Sequence, residues 1–189
     1  MSASLAPEKQ EQLLSSLKHH FGYQSFRVGQ ADIIDRALCG QDSLVLMPTG
    51  GGKSMCYQLP ATLMAGVTIV VSPLISLMKD QVDGLNANGI AADFYNSSQE
   101  THEQQAIFEK IANNEIKLLY VAPESLQLLQ PILSEDIISC IAIDEAHCIS
   151  QWGYDFRPSY LNIIQIRKIL PNIKFLALTA TATVKVADD

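Results

Sequence analysis

Apolar residues fall along this chain in two successive rhythms. Leu13, Leu14, Leu17 and Phe21, behind Pro7, recur at the spacing of one helical face, and Ile33, Ile34, Ala37 and Leu38 repeat that pattern. The spacing predicts two helices before any strand, with Gly22 and Gly29 punctuating the turn between them. After Gly40 the rhythm changes to short, nearly continuous apolar runs at 43–47, 67–71, 90–94, 117–121, 139–143 and 174–178. Such runs read as strands buried on both faces. The segments between them, 53–65, 74–86, 99–113, 124–133 and 160–170, are long enough for crossover helices. Strand, helix and strand in repeated alternation predict an α/β fold. Its sheet is mostly parallel, of about six or seven strands, with helices on both faces and further helices at the N-terminus. No linker, internal repeat or low-complexity tract divides residues 1–189, so the chain reads as one domain. It stops just beyond the sixth run, where the pattern would ordinarily continue into another helix, and a domain truncated near its C-terminal end is expected.

Composition narrows the class. A chain of 189 residues needs no disulfide staples to bury a core, and 48% hydrophobic with 17% charged residues contradicts the signature of disorder. Thirteen basic against 20 acidic residues leave a net charge of −7, so no basic field covers the surface to attract a polyanion. Cys39, Cys56, Cys140 and Cys148 form no C-x-x-C pair, and no His-x-x-x-His partner completes a zinc site; they read as reduced thiols. Residues 1–12 lack a basic start followed by an apolar run, and the most apolar stretch, 61–71, is too short to cross a bilayer. No membrane association and a cytoplasmic protein are expected.

The first chemistry lies behind the first strand. Met47-Pro48-Thr49-Gly50-Gly51-Gly52-Lys53-Ser54 joins a strand to a helix, the setting a phosphate-binding loop requires. Three successive glycines let the backbone turn its N–H groups toward a polyphosphate, and the following helix N-terminus adds positive dipole. Lys53 would hold the outer phosphates and the Ser54 hydroxyl would ligate magnesium. The strict pattern has glycine where this chain has Met47, so the match is to a variant.

An independent feature supports the same chemistry. Ile141-Ala142-Ile143-Asp144-Glu145-Ala146-His147 is an apolar strand ending in adjacent carboxylates, and doubly wound sheets bind ligands at the carboxyl ends of their strands. Asp144 would then reach the magnesium ion that Ser54 holds, while Glu145 would orient or deprotonate the water that attacks the terminal phosphate. Lys53, Asp144, Glu145 and His147 are the candidate catalytic group.

Asp144-Glu145-Ala146-His147, the Lys53 loop and Thr179-Ala180-Thr181 together resemble the superfamily 2 helicases and translocases. Three further segments are similar to the RecQ DNA helicases: Phe21 through Gln30, Ser72 through Gln81, and Ser150 through Pro158, which holds Gln151-Trp152-Gly153-Tyr154-Asp155-Phe156-Arg157. The resemblance runs from about Phe21 to the end of the chain. It implies a RecA-like P-loop fold, ATP and Mg²⁺ as cofactors, DNA as partner, 3′-to-5′ translocation with unwinding, and work in repair or recombination at the bacterial nucleoid. It also implies a second RecA-like lobe that supplies an arginine finger. Without that lobe, slow hydrolysis and no unwinding are expected.

By the same resemblance Tyr23 would stack on adenine, and Arg27 and Gln30 would contact the base. His147 would link the nucleotide to DNA-facing elements, and Thr179 and Thr181 would relay nucleotide state. Ser72 and the turn after it would face the DNA backbone. Trp152, Tyr154, Phe156 and Arg157 would form the loop that senses single strands, with Tyr154 standing where the family usually has histidine. Between Lys117 and Arg157 there is no lysine or arginine, so DNA contact would rest on ring stacking and a few backbone contacts. Two other classes remain: a different superfamily 2 translocase or RNA helicase lobe, which would share the nucleotide site but not the Tyr23 region or the Trp152 loop, and a non-catalytic interaction module that responds to nucleotide.

Overall fold

Helix α1 (Pro7–Phe21) starts on a proline, whose fixed φ suits a first turn, and closes at Gly22, where a left-handed φ of 74° lets the backbone N–H reach Lys18 O. The structure, a computed structural model, describes residues 6–151 and 155–181. Helix α2 (Gln30–Leu38) follows, and Leu13 and Leu17 of α1 join Ile34 of α2 in burying Met55 and Leu59 on the outer side of α3 (Met55–Leu63). The two N-terminal helices therefore form an extra layer against the helix that leaves the glycine loop.

Six strands make the sheet: β1 (Ser43–Leu46), β2 (Val67–Val71), β3 (Ala92–Tyr95), β4 (Leu118–Val121), β5 (Ile138–Ile143) and β6 (Lys174–Thr179). They lie in the order β1-β6-β5-β2-β4-β3, and every pairing is parallel. All residues of β2 and β4 are buried, which is why those runs are nearly all apolar rather than alternating.

Alternate side chains serve the two faces. On one, Val70, Leu118, Tyr120, Ala142 and Leu176 meet α3 and α4 (Ile75–Ala87) through Tyr57, Ala61, Met78 and Val82. On the other, Ile69, Leu119 and Ile141 meet α5 (Thr101–Ala112), a 3₁₀ stretch at Pro123–Ile132 and α6 (Asn162–Ile169) through Ile107, Leu126, Leu129 and Ile166.

The register decides where chemistry can collect. Leu46 pairs with Thr179, Ala177 with Ile143, Ile143 with Val71 and Val71 with Val121. The strands thus finish at nearly one level, and the residues that leave β1, β2, β5 and β6 emerge along a single rim.

The boundaries depart from the periodicity at three places, each for a local reason. The segment expected to be helical over 124–133 is a 3₁₀ run, because Pro123 opens it and Pro131 removes a donor inside it. The helix expected from 53 begins at Met55, since residues 50–54 belong to the loop before it. The strand expected from 90 begins at Ala92: Gly89 takes a φ of 73° and Ile90 N–H caps the end of α4 on Leu85 O at 3.0 Å.

Candidate functional site

The loop between β1 and α3 is shaped by its glycines. Gly50 and Gly52 have φ values of 74° and 86°, and a Cβ on Gly51 would stand 2.8 Å from Pro48 O. Gly51 N–H closes a turn on Pro48 O at 2.9 Å, while Thr49 at its tip is exposed. Met47 takes part through its main chain only. Its side chain is buried in the core, and its carbonyl oxygen lies 3.5 Å from Lys53 Nζ.

A clamp from the start of α2 holds this loop. Gln30 is 4% exposed; its amide nitrogen donates to Gly52 O at 3.0 Å and its amide oxygen accepts from Arg27 N–H at 2.8 Å. The Arg27 guanidinium donates to Gly50 O. Arg27 and Gln30, expected at a base, are thus bonded to the loop's own carbonyls. They also line a cavity of about 240 Å³ with Tyr23, Gly52, Ser54 and Gln58, and the Tyr23 ring is 55% exposed at its side.

Gly52 is where the clamp and the loop meet most tightly, because a Cβ there would come within 2.4 Å of Gln30 Nε2. Gly52→Ala is expected to cost about 2 kcal/mol, from a strained positive φ and a displaced buried amide. In calorimetry this lowers the unfolding midpoint by roughly 4–8 °C. An unchanged midpoint would mean that the clamp carries no stability.

Asp144 follows β5 directly, its N–H continuing the ladder to Val71 O at 2.9 Å and its carbonyl accepting from Tyr160 Oη at 3.0 Å. Its carboxylate accepts from Glu145 N–H at 3.0 Å. Burial, then the neighbouring Glu145 charge, pushes the Asp144 carboxyl above its ordinary value; the Glu145 N–H, Lys53 and His147 oppose that shift. The Lys53 ammonium therefore acts on Asp144 across the loop. The Asp144 charge also acts on Tyr57 of α3, so the start of that helix and the acidic pair face one another.

Glu145 adopts φ 49° and ψ 48°, a left-handed conformation that costs a non-glycine residue on the order of 1–3 kcal/mol. This turn brings its carboxylate to 3.3 Å from His147 Nδ1. The same nitrogen lies 2.9 Å from Thr179 Oγ1 at the end of β6. Thr179 is 1% exposed, donates to Thr181 O at 2.9 Å and accepts from Thr181 N–H at 3.2 Å. With the Thr179 hydrogen directed to Thr181, His147 Nδ1 carries the hydrogen of the 2.9 Å bond.

Arg157 donates to Pro73 O at 3.0 Å, joining its segment to the turn after β2, where Ser72 is buried with its N–H on Val121 O at 3.1 Å. Phe156 is half-buried, and Trp152 and Tyr154 lie outside the described residues.

Sequence reasoning missed two sets of residues. Asp155 stands 3.6 Å from His147 Nε2, a contact that spacing alone could not place. Tyr57, Gln58, Gln81 and Tyr120 form a buried polar cluster. For Tyr57 and Gln58 a signal existed: they fall three and four positions after Ser54, hence on its side of the helix.

The residues present fit a nucleoside triphosphate with a hard divalent cation. The glycine cradle leaves no room for a side chain at Gly51 or Gly52, and a hydroxyl and a carboxylate are the oxygen donors magnesium prefers. Among the described residues no group of three or more His, Cys, Asp or Glu side chains could hold a metal, so a cation here would share its ligands with phosphate.

Known proteins resemble this chain over most of its length. The DEAD/DEAH box helicase family matches residues 27–189. The ATP-dependent DNA helicase RecQ of Haemophilus influenzae is 56% identical over 171 residues, 89% of this chain and 28% of that protein. The protein of the same name from Bacillus subtilis is 50% identical over 179 residues, covering 93% and 30%. The chain thus spans less than a third of the length of these curated relatives. Among solved structures, the DUF1998 helicase MrfA bound to DNA and AMPPNP superposes with a TM-score of 0.72 at 17% identity, over 98% of this chain and 28% of that one; the likeness shows the fold.

Proposed function

Because this chain belongs to the DEAD/DEAH box helicase family, in its RecQ branch, we propose that it is the ATP-binding lobe of a motor coupling ATP hydrolysis to 3′-to-5′ movement on DNA and strand separation. In this reading residues 1–189 form one N-terminal RecA-like domain, a second such lobe is its partner, and the protein works at the bacterial nucleoid in repair or recombination. Among the described residues no helix is long and apolar enough to cross a membrane.

One observation carries the reading: Lys53 of the glycine loop and Tyr57 of α3 stand close enough to Asp144 to interact with its charge, and the acidic segment is hydrogen-bonded through His147 to Thr179 on the neighbouring strand. Backbone N–H groups of residues 50–54 and Lys53 would bind the phosphates, Tyr23 would pack on the base, and Ser54 with Asp144 would hold Mg²⁺. When bound, Mg²⁺ neutralises charge on the phosphate oxygens and orients them. Glu145 holds its carboxylate beyond Asp144, where it would take a proton from the attacking water.

The His147–Thr179 bond gives this site an outlet. A change at Glu145 alters what shares His147 Nδ1, and Thr179 anchors the backbone of Thr181 beyond β6. Arg157 and Pro73 O offer a second bridge between the segment after β5 and the turn after β2. Both would transmit nucleotide state to a bound strand.

ATP turnover of this lobe joined to a second RecA-like lobe, measured alone, with single-stranded DNA, and with RNA of the same length, tests the assignment. Stimulation by DNA and not RNA is expected. Selective stimulation by RNA would reassign the lobe to an RNA helicase, and nucleotide binding with no turnover under any condition would make it an interaction module.

A further inference from the structure

Gln58 is a nearly buried amide with one end committed and the other open. The residue is 7% exposed. Its nitrogen donates one hydrogen to Gln81 Oε1 at 2.9 Å and the other to Tyr120 Oη at 3.0 Å, so both N–H groups are spent. Its oxygen accepts no hydrogen bond among the described residues. Yet Ser125 Oγ is the only buried side-chain polar atom among them that lacks a partner, so the Gln58 oxygen is not sealed in. It opens onto the space that Gln58 lines. That space is the cavity of about 240 Å³ bounded by Tyr23, Arg27, Gln30 and Ser54, together with an adjoining hollow of about 210 Å³ toward α4.

The two bonds of the nitrogen fix which end of the amide meets the cavity. Turned over, the amide would set its oxygen 2.9 Å from Gln81 Oε1, acceptor against acceptor. The wall beside Tyr23 therefore presents an acceptor that cannot become a donor. Gln58 lies four positions beyond Ser54, one helical turn or about 6 Å along α3 and on the same side of it. A nucleotide whose phosphates occupy the loop would carry its base past this point, with the 55% exposed Tyr23 ring as a stacking face. Adenine bears an amino donor at its 6-position, where guanine and hypoxanthine bear an oxygen. The amino group would satisfy the Gln58 oxygen, whereas a 6-oxo purine would press two acceptors together in a wall closed to water.

We infer that the Gln58 side-chain oxygen accepts a hydrogen bond from the 6-amino group of adenine and is a specificity-determining contact for ATP against 6-oxo purine nucleotides. Gln81 and Tyr120 hold it in position. This inference rests on the ATP reading of the loop. It adds a reader of the base to Arg27 and Gln30, which spend part of their bonding capacity on Gly50 O and Gly52 O.

The test is displacement of a ribose-labelled fluorescent ATP by ATP, by inosine triphosphate with its 6-oxygen, and by purine riboside triphosphate, which has only hydrogen at that position. Wild type should bind ATP about tenfold more tightly than purine riboside triphosphate, and inosine triphosphate more weakly still. Gln58→Met, similar in length but without the oxygen, should erase the preference for ATP over purine riboside triphosphate. Affinity for the latter should stay within about threefold, since it makes no bond to the missing group. Gln58→Glu, which returns an oxygen acceptor, should restore the preference. A role confined to packing would weaken all three nucleotides together. Should Gln58→Met fail to fold, wild type answers on its own: with bound ATP isotope-labelled at the amino nitrogen, the amino protons should show nuclear Overhauser contacts to the Gln58 side chain.

A preference that Gln58→Met leaves unchanged or that Gln58→Glu fails to restore, or amino protons without contact to Gln58, overturns the inference while the ATP site stands. A wild-type protein that binds none of the three nucleotides overturns the underlying assignment and this inference with it.

Discussion

Lys53→Ala is expected to weaken the binding of ATP by roughly 30-fold to several thousand-fold, the equivalent of about 2–5 kcal/mol for truncating one side of a desolvated, hydrogen-bonded charge pair. The reason is the position of the ammonium. Lys53 sits at the end of the loop whose glycines admit a phosphate chain, 3.5 Å from Met47 O on one side and close enough to act on the Asp144 charge on the other. Among the described residues no other lysine or arginine side chain donates to the loop except Arg27, which is engaged with Gly50 O. Isothermal titration calorimetry of the variant measures the loss directly. The unfolding midpoint should hardly change, since Lys53 makes one long bond to a carbonyl and contributes little to the core. Wild-type affinity in this variant would remove the phosphate-loop assignment.

Asp144→Asn should act in two opposite directions. Nucleotide binding should lose its dependence on Mg²⁺, with a change of about 100-fold or more in the cation concentration required, because removing a direct oxygen ligand costs no less than disturbing one of its outer partners. The protein in the absence of metal should at the same time become more stable near neutral pH. Burial and the adjacent Glu145 charge raise the Asp144 carboxyl above its ordinary value of 3.8, so the fold favours the protonated form. A group raised in this way contributes stability below its unfolded value, and that contribution is lost as pH rises through the raised one. Near neutral pH the buried charge opposes folding, and asparagine removes it while keeping an oxygen to accept the Glu145 N–H.

Each kcal/mol recovered raises the midpoint of a chain this size by about 2–4 °C. Calorimetry at pH 7 without metal should show the variant above wild type, with the gap closing as the solution is made acidic. An identical midpoint at neutral pH, or an unaltered Mg²⁺ titration, would contradict the role given to Asp144.

How much of this was visible in the linear order differs from residue to residue. The central strands could be read because parallel strands covered on both faces are apolar at nearly every position, as 118–121 is; β1 gave the same signal although Leu44 and Leu46 stay exposed on one face. The loop at 47–54 was equally legible, since three glycines before a lysine answer a backbone requirement that Gly51 and Gly52 display as missing room. The 3₁₀ run at Pro123–Ile132 was misjudged as a helix because its apolar spacing satisfies either geometry, and Pro131 was the only warning. Arg27 and Gln30 were singled out through resemblance. Their bonds to Gly50 O and Gly52 O were not, because both partners are main-chain carbonyls, which carry no signature in side-chain identity.

From the order of residues alone came the alternating architecture, the phosphate loop and the acidic pair, because each is a local pattern of size, polarity and backbone freedom over a few positions. The strand order β1-β6-β5-β2-β4-β3, the bond from His147 to Thr179, the approach of Asp155, and the bonds joining Gln58, Tyr120 and Tyr57 came only with the tertiary structure. Those contacts join segments that are remote in sequence, and what brings them together is the burial of two apolar sheet faces at one register. That burial is a property of the whole fold, and no short stretch of the chain contains it.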